Sequence, residues 1–194
     1  QTNVITMGGE ENSEGNLTVK GTNSTLFANA SLYIGNAGKG SVTIADGGLG
    51  QTSFIDVGIE ENSEGNLTVT GNNSKLTNRT LLVGTKGKGT ATIADGGLVQ
   101  TSYIRIGGEE NSEGNLTVTG TNSKISVSDS LNIGGGGKGS VTIADGGLGQ
   151  AAVVSVGRFG SEGDLTVTGT NSKLNVENLF IGDGGKGTLS IIDN

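Results

Sequence analysis

The strongest constraint on the fold is an internal repeat of about 49 residues that runs along the whole chain. The string Asn-Leu-Thr-Val begins at Asn16, Asn66 and Asn115, and Asp164-Leu-Thr-Val is a fourth copy. Gly-Lys-Gly recurs at the same period, with its lysine at Lys39, Lys88, Lys138 and Lys186. Self-similarity at a period of 20 to 50 residues is typical of solenoids, in which each unit packs on its neighbours.

Each 49-residue repeat divides into two units of about 25 residues. An apolar-x-apolar-Gly segment occurs eight times and ends at Gly8, Gly35, Gly58, Gly84, Gly107, Gly134, Gly157 and Gly182. A polar turn, an apolar-Thr-apolar segment, a second turn and one more apolar residue complete the unit. Apolar residues two apart follow the strand period, and no window keeps the helical spacing. The sequence therefore predicts an all-β chain.

Three short strands per unit, separated by turns, predict a right-handed parallel β-helix. We expect a three-sided solenoid of about eight rungs of ~25 residues, forming a single segment over residues 1–194. Stacked coils pair strand on strand, which satisfies the backbone donors and acceptors of the inner rungs. At the usual strand separation, eight coils give a rod roughly 38 Å long.

Because successive side chains of a strand point to opposite faces, two apolar residues of each strand are predicted to point inward. In the first segment they are Ile5/Met7, Leu32/Ile34, Ile55/Val57, Leu81/Val83, Ile104/Ile106, Leu131/Ile133, Val154/Val156 and Leu179/Ile181. In the second segment they are Leu17/Val19, Val42/Ile44, Leu67/Val69, Ala91/Ile93, Leu116/Val118, Val141/Ile143, Leu165/Val167 and Leu189/Ile191. The third predicted inward position holds Leu26, Leu49, Leu76, Leu98, Ile125, Leu148 and Leu174.

Turn lengths alternate between successive units. Long acidic turns over residues 8–15, 58–65 and 107–114 alternate with short Gly-Lys-Gly turns. Glycine, with Asn or Asp beside it, is expected where the backbone needs positive φ. Stacking therefore predicts a corner at which Glu and Lys rungs alternate.

Composition excludes several classes of function. The chain has no Cys and no His, which removes disulfides, thiolate or imidazole metal sites and histidine-based catalysis. A net charge of −7 argues against nucleic acid as a partner, because counterion release needs clustered Lys and Arg. No apolar run approaches the ~20 residues that span a bilayer, so no direct membrane insertion of this segment is expected.

Two motifs have a superficial likeness to ligand sites. Residues 35–41 and 134–140 look like a phosphate-binding loop, but a glycine separates the lysine from the serine and a strand follows. Paired glutamates such as Glu10 and Glu11 offer oxygens to calcium, yet the nine-residue repeat of calcium-binding β-rolls is missing. We therefore expect no cofactor and no metal site.

Catalysis is not expected, because an active site is a single asymmetric constellation and these carboxylates recur along the rod. The three arginines, Arg79, Arg105 and Arg158, do not share equivalent turns. A carbohydrate-active β-helix, either a polysaccharide lyase or a depolymerase, remains the alternative from another class. A passive stalk that only displays a distal domain is a third interpretation.

One outer face breaks the symmetry of the repeat. The outward position of the second strand is nearly always Thr, whereas the outward positions of the first strand vary. Exposed aromatic side chains mark interaction surfaces. The residues predicted to bind a partner are therefore those of the first-strand face, Tyr33, Phe54, Leu82, Tyr103, Arg105 and Phe180.

The repeated Leu-Thr-Val-Thr-Gly-x-Asn-Ser-Lys-Leu, as in residues 67–76 and 165–174, resembles the passenger repeats of bacterial autotransporter adhesins. It is coupled to Ile-Gly-x-x-Gly-Lys-Gly-[Ser/Thr]-x-x-Ile, as in residues 133–143, and the resemblance covers essentially the whole chain. Membership would imply a segment of a longer passenger domain, held extracellularly at the bacterial surface by an outer-membrane barrel that is not part of this sequence. It would also imply adhesion, autoaggregation and biofilm formation, with homotypic passengers or a host surface protein or glycan as partner.

Overall fold

The computed structural model describes residues 2–192, and every regular element in that range is a β-strand. The first nine strands are β1 (Thr2–Met7), β2 (Glu14–Lys20), β3 (Thr25–Ile34), β4 (Lys39–Ala45), β5 (Leu49–Gln51), β6 (Phe54–Val57), β7 (Glu64–Thr70), β8 (Lys75–Thr77) and β9 (Thr80–Val83). The others are β10 (Lys88–Ala94), β11 (Leu98–Ile106), β12 (Glu113–Thr119), β13 (Lys124–Ile133), β14 (Lys138–Ala144), β15 (Leu148–Val156), β16 (Glu162–Thr168), β17 (Lys173–Ile181) and β18 (Lys186–Ile192).

The strands stack as eight coils of a parallel β-solenoid, which confirms the predicted fold. Each coil has three strand segments, which we call its first, second and third runs. The second runs of all coils form one eight-stranded sheet, which we call the flat sheet, in the order β2, β4, β7, β10, β12, β14, β16 and β18. We number the coils 1 to 8 by these strands. The first and third runs form a ten-stranded bent sheet. In strands such as β13 the third run of one coil continues into the first run of the next, with a register shift between Val127 and Ser130 that marks the third corner.

The flat sheet keeps one register throughout its eight strands. Leu67 pairs with Val42 on one side and with Ala91 on the other, and the same offset holds along each strand. Equivalent residues about 25 positions apart therefore lie directly over one another. These rows form one continuous hydrophobic core.

The predicted inward rows of the first and second runs are confirmed for the inner coils. Leu32, Ile55 and Ile104 are fully buried. In coil 8 the same rows are open to solvent, with Ile191 75% exposed, because within residues 2–192 no further strand covers β17 and β18.

The predicted third inward row is wrong in every second coil. Leu49, Leu98 and Leu148 point outward, and the inward positions beside them are Gly50, Val99 and Gly149. Leu49 pairs with Lys75 and not with Leu76. The turn before this run is one residue shorter in even coils, since Ile44 and Gly50 are six positions apart and Val69 and Leu76 are seven. Because one residue is missing, the side chains that would point inward in this run point outward, and the reverse.

Glycine at the corner between the first and second runs allows two backbones to touch. Gly84 has φ of 70°, and a Cβ on Gly89 would overlap the backbone nitrogen of Gly84 and the carbonyl oxygen of Val57. Positive φ is also found, as predicted, at Asn and Asp residues of the turns, Asn12, Asp46, Asn62, Asn73, Asp95, Asn111, Asn122, Asp145 and Asn171.

Candidate functional site

The first-run face contains the residues predicted to bind a partner, and stacking arranges them in two columns. One column contains Tyr33, Leu82, Arg105 and Phe180, and the other contains Phe54 and Tyr103. The structure therefore brings these residues to one face.

Most of this face is half-buried, although its side chains point away from the core as the alternation predicts. Tyr33 and Phe54 pack edge to face with ring centroids 6.2 Å apart. The hydroxyl of Tyr103 accepts a hydrogen bond from Asn132 Nδ2 at 3.0 Å. Of the four aromatics predicted here, only Phe180 is exposed, and it lies in coil 8. The residues pack mainly against one another and against adjacent coils.

A buried carboxyl group lies in the same face. Asp56 is 6% exposed, and the hydroxyl of Thr85 donates to its Oδ1 at 2.6 Å. Burial raises the pKa of Asp56, while the hydrogen bond from Thr85 and the charge of Arg105 partly offset that effect. Across the described chain, Arg105 Nε and Asn132 Oδ1 are buried without a hydrogen-bond partner. Buried polar groups of three different residues, Asp56, Arg105 and Asn132, therefore lie within this face.

The flat sheet presents the most regular surface of the molecule. Its first column alternates Glu and Lys in every coil, as predicted, and we call it the charge ladder, made of Glu14, Lys39, Glu64, Lys88, Glu113, Lys138, Glu162 and Lys186. Lys39 Nζ lies 3.0 Å from Glu64 Oε2, and Lys186 Nζ lies 3.2 Å from Glu162 Oε1. These side chains are half to mostly exposed, so each pair contributes little to folding.

A column of hydroxyls runs parallel to the charge ladder, with one outward column, which begins at Asn16 and Ser41, between them. It contains Thr18, Thr43, Thr68, Thr92, Thr117, Thr142, Thr166 and Ser190, paired in one register from coil to coil. β-Branched residues favour strands, and each hydroxyl remains able to donate and accept. The flat sheet therefore offers parallel rows of charge and hydroxyl.

Three long turns carry paired, exposed glutamates along the corner between the first and second runs. We call them the acidic turns, with Glu10 and Glu11 in coil 1, Glu60 and Glu61 in coil 3, and Glu109 and Glu110 in coil 5. The hydroxyl of Ser112 donates to the Glu109 carbonyl at 2.6 Å and ties the turn to itself. Notches over the short turns separate the acidic turns. The notch between the turns of coils 5 and 7 is an open cavity of about 460 Å³, with Gly136 and Gly137 in its lining.

Sequence reasoning missed Phe159, whose side chain is 76% exposed. In coil 7 the stretch Arg158-Phe159-Gly160 replaces the acidic residues, and Phe159 has φ of 53°, which is unusual for an aromatic residue. The Arg158 guanidinium lies 4.6 Å from its ring centroid. The break in the acidic repeat was the available signal.

The outward Leu residues of the third run form a further column. Together with lysines of the intervening coils they make what we call the Lys–Leu column, Leu49, Lys75, Leu98, Lys124, Leu148 and Lys173. Among residues 2–192 none of these three lysines lies within 4.0 Å of a carboxylate. It is a surface of unpaired positive charge.

Metal-binding geometry was not found among the described residues, where no group of three or more acidic side chains is placed to hold an ion. Nor does that part of the chain contain a helix that could cross a membrane. Comparison with models of known protein families, with curated proteins and with solved structures gave no match. The functional argument therefore depends on the surfaces described above.

Proposed function

We propose that this chain is a non-enzymatic segment of a bacterial cell-surface adhesin, and that it acts through homotypic contact between flat sheets. The observation that carries this proposal is the charge ladder, whose sign changes at each of the seven steps between its eight coils without a register error. Adhesion, autoaggregation and biofilm formation follow when such rods on neighbouring cells meet outside the cell.

The ladder is complementary to itself only in certain arrangements. When two flat sheets face each other about a two-fold axis, coil 1 of one copy meets coil 8 of the other, so that Glu14 faces Lys186 and Glu64 faces Lys138. Every coil then faces the opposite charge. Two copies in parallel and in register place Glu against Glu and Lys against Lys. A two-fold contact is closed, so it yields pairs of antiparallel rods.

Repetition compensates for the weakness of each contact. An exposed ion pair contributes roughly 0.2–1 kcal/mol, and three of the ladder lysines, Lys39, Lys138 and Lys186, already pair with a glutamate of their own chain. Eight such positions on a rigid face engage together, and linked weak contacts raise the overall affinity by orders of magnitude. The hydroxyl column of the same sheet adds hydrogen bonds, with or without bridging water.

The test is cell aggregation after surface display of this segment alone. An all-Glu ladder (Lys39, Lys88, Lys138 and Lys186→Glu) and an all-Lys ladder (Glu14, Glu64, Glu113 and Glu162→Lys) are displayed on separate cells. Each is expected to lose aggregation, and a mixture of the two is expected to recover it. Exchanging Glu and Lys at all eight positions keeps composition and self-complementarity, and this matched control should aggregate like the parent.

Other outcomes identify the competing functions. Absence of aggregation by the parent segment favours a passive stalk, and aggregation only with host cells or purified glycans favours a heterotypic receptor. Steady release of reducing ends from polysaccharides would defeat the adhesin proposal in favour of a carbohydrate-active enzyme. Circular dichroism of each purified variant separates loss of contact from loss of fold.

A further inference from the structure

The Lys–Leu column and the acidic turns lie on opposite sides of the coil. Each coil closes in three runs, and an acidic turn joins the first run to the second, so the third run lies across the core from it. The turn aspartates nearest the third run interact elsewhere, since Asp46 pairs with Lys20 at 3.2 Å and Asp95 accepts from Thr70 at 3.2 Å. The Lys–Leu column is therefore not neutralised by its own chain.

Both surfaces repeat with the same period. The acidic turns occur in coils 1, 3 and 5, and the outward lysines Lys75, Lys124 and Lys173 occur in coils 3, 5 and 7. Two coils correspond to about 9.6 Å along the rod at the usual strand separation. Because both periods come from the same stacking, turns and lysines that are aligned at one point are aligned along the whole rod.

We propose that the Lys–Leu column binds the acidic turns of a second copy, so that rods pointing in the same direction pack side by side. A slide of two coils aligns all three pairs, with Glu11 facing Lys75, Glu61 facing Lys124 and Glu110 facing Lys173. Leu98 and Leu148, the half-buried leucines between the lysines, lie opposite the short turns, and their remaining exposed surface loses contact with water on docking.

The Arg158-Phe159 turn selects this slide. Without the slide, Arg158 in coil 7 faces Lys173 of the neighbouring copy, and only two acidic turns meet lysines. With it, the Arg158-Phe159 turn lies beyond Lys173, the last residue of the neighbour's Lys–Leu column. The contact joins two different surfaces and shifts each added copy by two coils, so it cannot close into a ring and adds copies without limit. It leaves the flat sheet free, and it is therefore separate from the proposed antiparallel pairing.

Charge exchange in the purified 194-residue chain tests this packing. One variant carries Lys75, Lys124 and Lys173→Glu, a second carries Glu11, Glu61 and Glu110→Lys, and a third carries both sets and keeps the formal net charge of −7. Sedimentation velocity at low ionic strength, over a range of protein concentrations, measures the size of the assemblies. Salt should weaken assembly of the parent, because exposed charges are screened.

For the parent we expect assemblies larger than a dimer that grow with concentration. Each single-set variant should associate about tenfold or more weakly, because three facing pairs become repulsive. An equimolar mixture of the two variants, and the doubly exchanged chain alone, should assemble like the parent. A dimer that persists in all three variants is held together by the flat sheets and not by the Lys–Leu column. Large assemblies in both single-set variants, or no recovery in the mixture, would overturn the proposal.

Discussion

Asn78 occupies a core position at which its side-chain amide has no hydrogen bond to any of residues 2–192. It is 7% exposed, and within the described chain neither Nδ2 nor Oδ1 has a partner. The residues above and below it in the same inward column are Thr52 and Thr101, and each of their hydroxyls donates to a backbone carbonyl. Replacing Asn78 by Thr should therefore stabilise the protein.

The acceptor for this threonine is already in place. Thr101 Oγ1 donates to the Arg79 carbonyl at 3.1 Å, and that carbonyl also accepts from the backbone of Ser102 and Tyr103. One coil earlier the Ser53 carbonyl accepts from the backbone N–H groups of Arg79 and Thr80 in the same way. The Ser53 carbonyl is therefore the acceptor for the hydroxyl of a threonine at position 78. Relief of a buried unsatisfied amide and formation of one hydrogen bond add about 2 kcal/mol to the free energy of unfolding. For a chain of this size that raises Tm by about 4–8 °C.

Thermal and urea denaturation followed by circular dichroism measure this change. Thr101→Asn is the matched control, since it creates a second unsatisfied amide in the next coil and should lower Tm by a comparable amount. Asn78→Val, which copies Val127 two coils further on, should also raise Tm because it removes the polar atoms. An unchanged or lower Tm for Asn78→Thr would refute the reasoning, since it would mean that Asn78 is satisfied, for example by an internal water.

Three further substitutions test the core, the corner and the buried acid. Leu76→Ala should cost about 2–5 kcal/mol in urea denaturation and Leu49→Ser less than about 1 kcal/mol, and equal losses would place Leu49 inside the core. Gly89→Ala should cost about 3 kcal/mol or more because its Cβ meets backbone, while Gly9→Ala, with only Thr6 Cγ2 at 3.7 Å, should stay within about 0.5 kcal/mol. Because the pKa of Asp56 is raised in the fold, parental stability falls as pH rises through that pKa, so Asp56→Asn should be the more stable form at pH 7. The difference should vanish below the ordinary Asp pKa of about 3.9, and a difference that persists there would contradict it.

Most of the fold could be predicted from the sequence because one rule acts in every coil. Apolar residues two apart, followed by Gly and a polar turn, indicate the same strand eight times, so an error in one copy is outweighed by the others. The charge ladder was predictable for the same reason, since Glu64 and Lys88 occupy equivalent places in consecutive units. Local pattern and global stacking agree here.

The remaining features depend on details that a repeat conceals. A turn that is one residue shorter turned Leu49 outward, and the small inward Gly50 carried no apolar signal to reveal the change. Alternation showed that Tyr33 and Phe54 point away from the core, but it could not show that neighbouring coils half-bury them. Asn78 looks like an ordinary turn residue until stacking places it between two buried threonines.

The alternating sign of the charge ladder also limits how such a chain can change in length during evolution. Loss or gain of a single 25-residue unit would place two glutamates or two lysines next to each other and reverse the sign of all later coils relative to earlier ones. Loss or gain of a 49-residue pair leaves the sequence of charges intact. Recombination between repeats is therefore expected to be tolerated in steps of two units, so that rods of different lengths remain compatible.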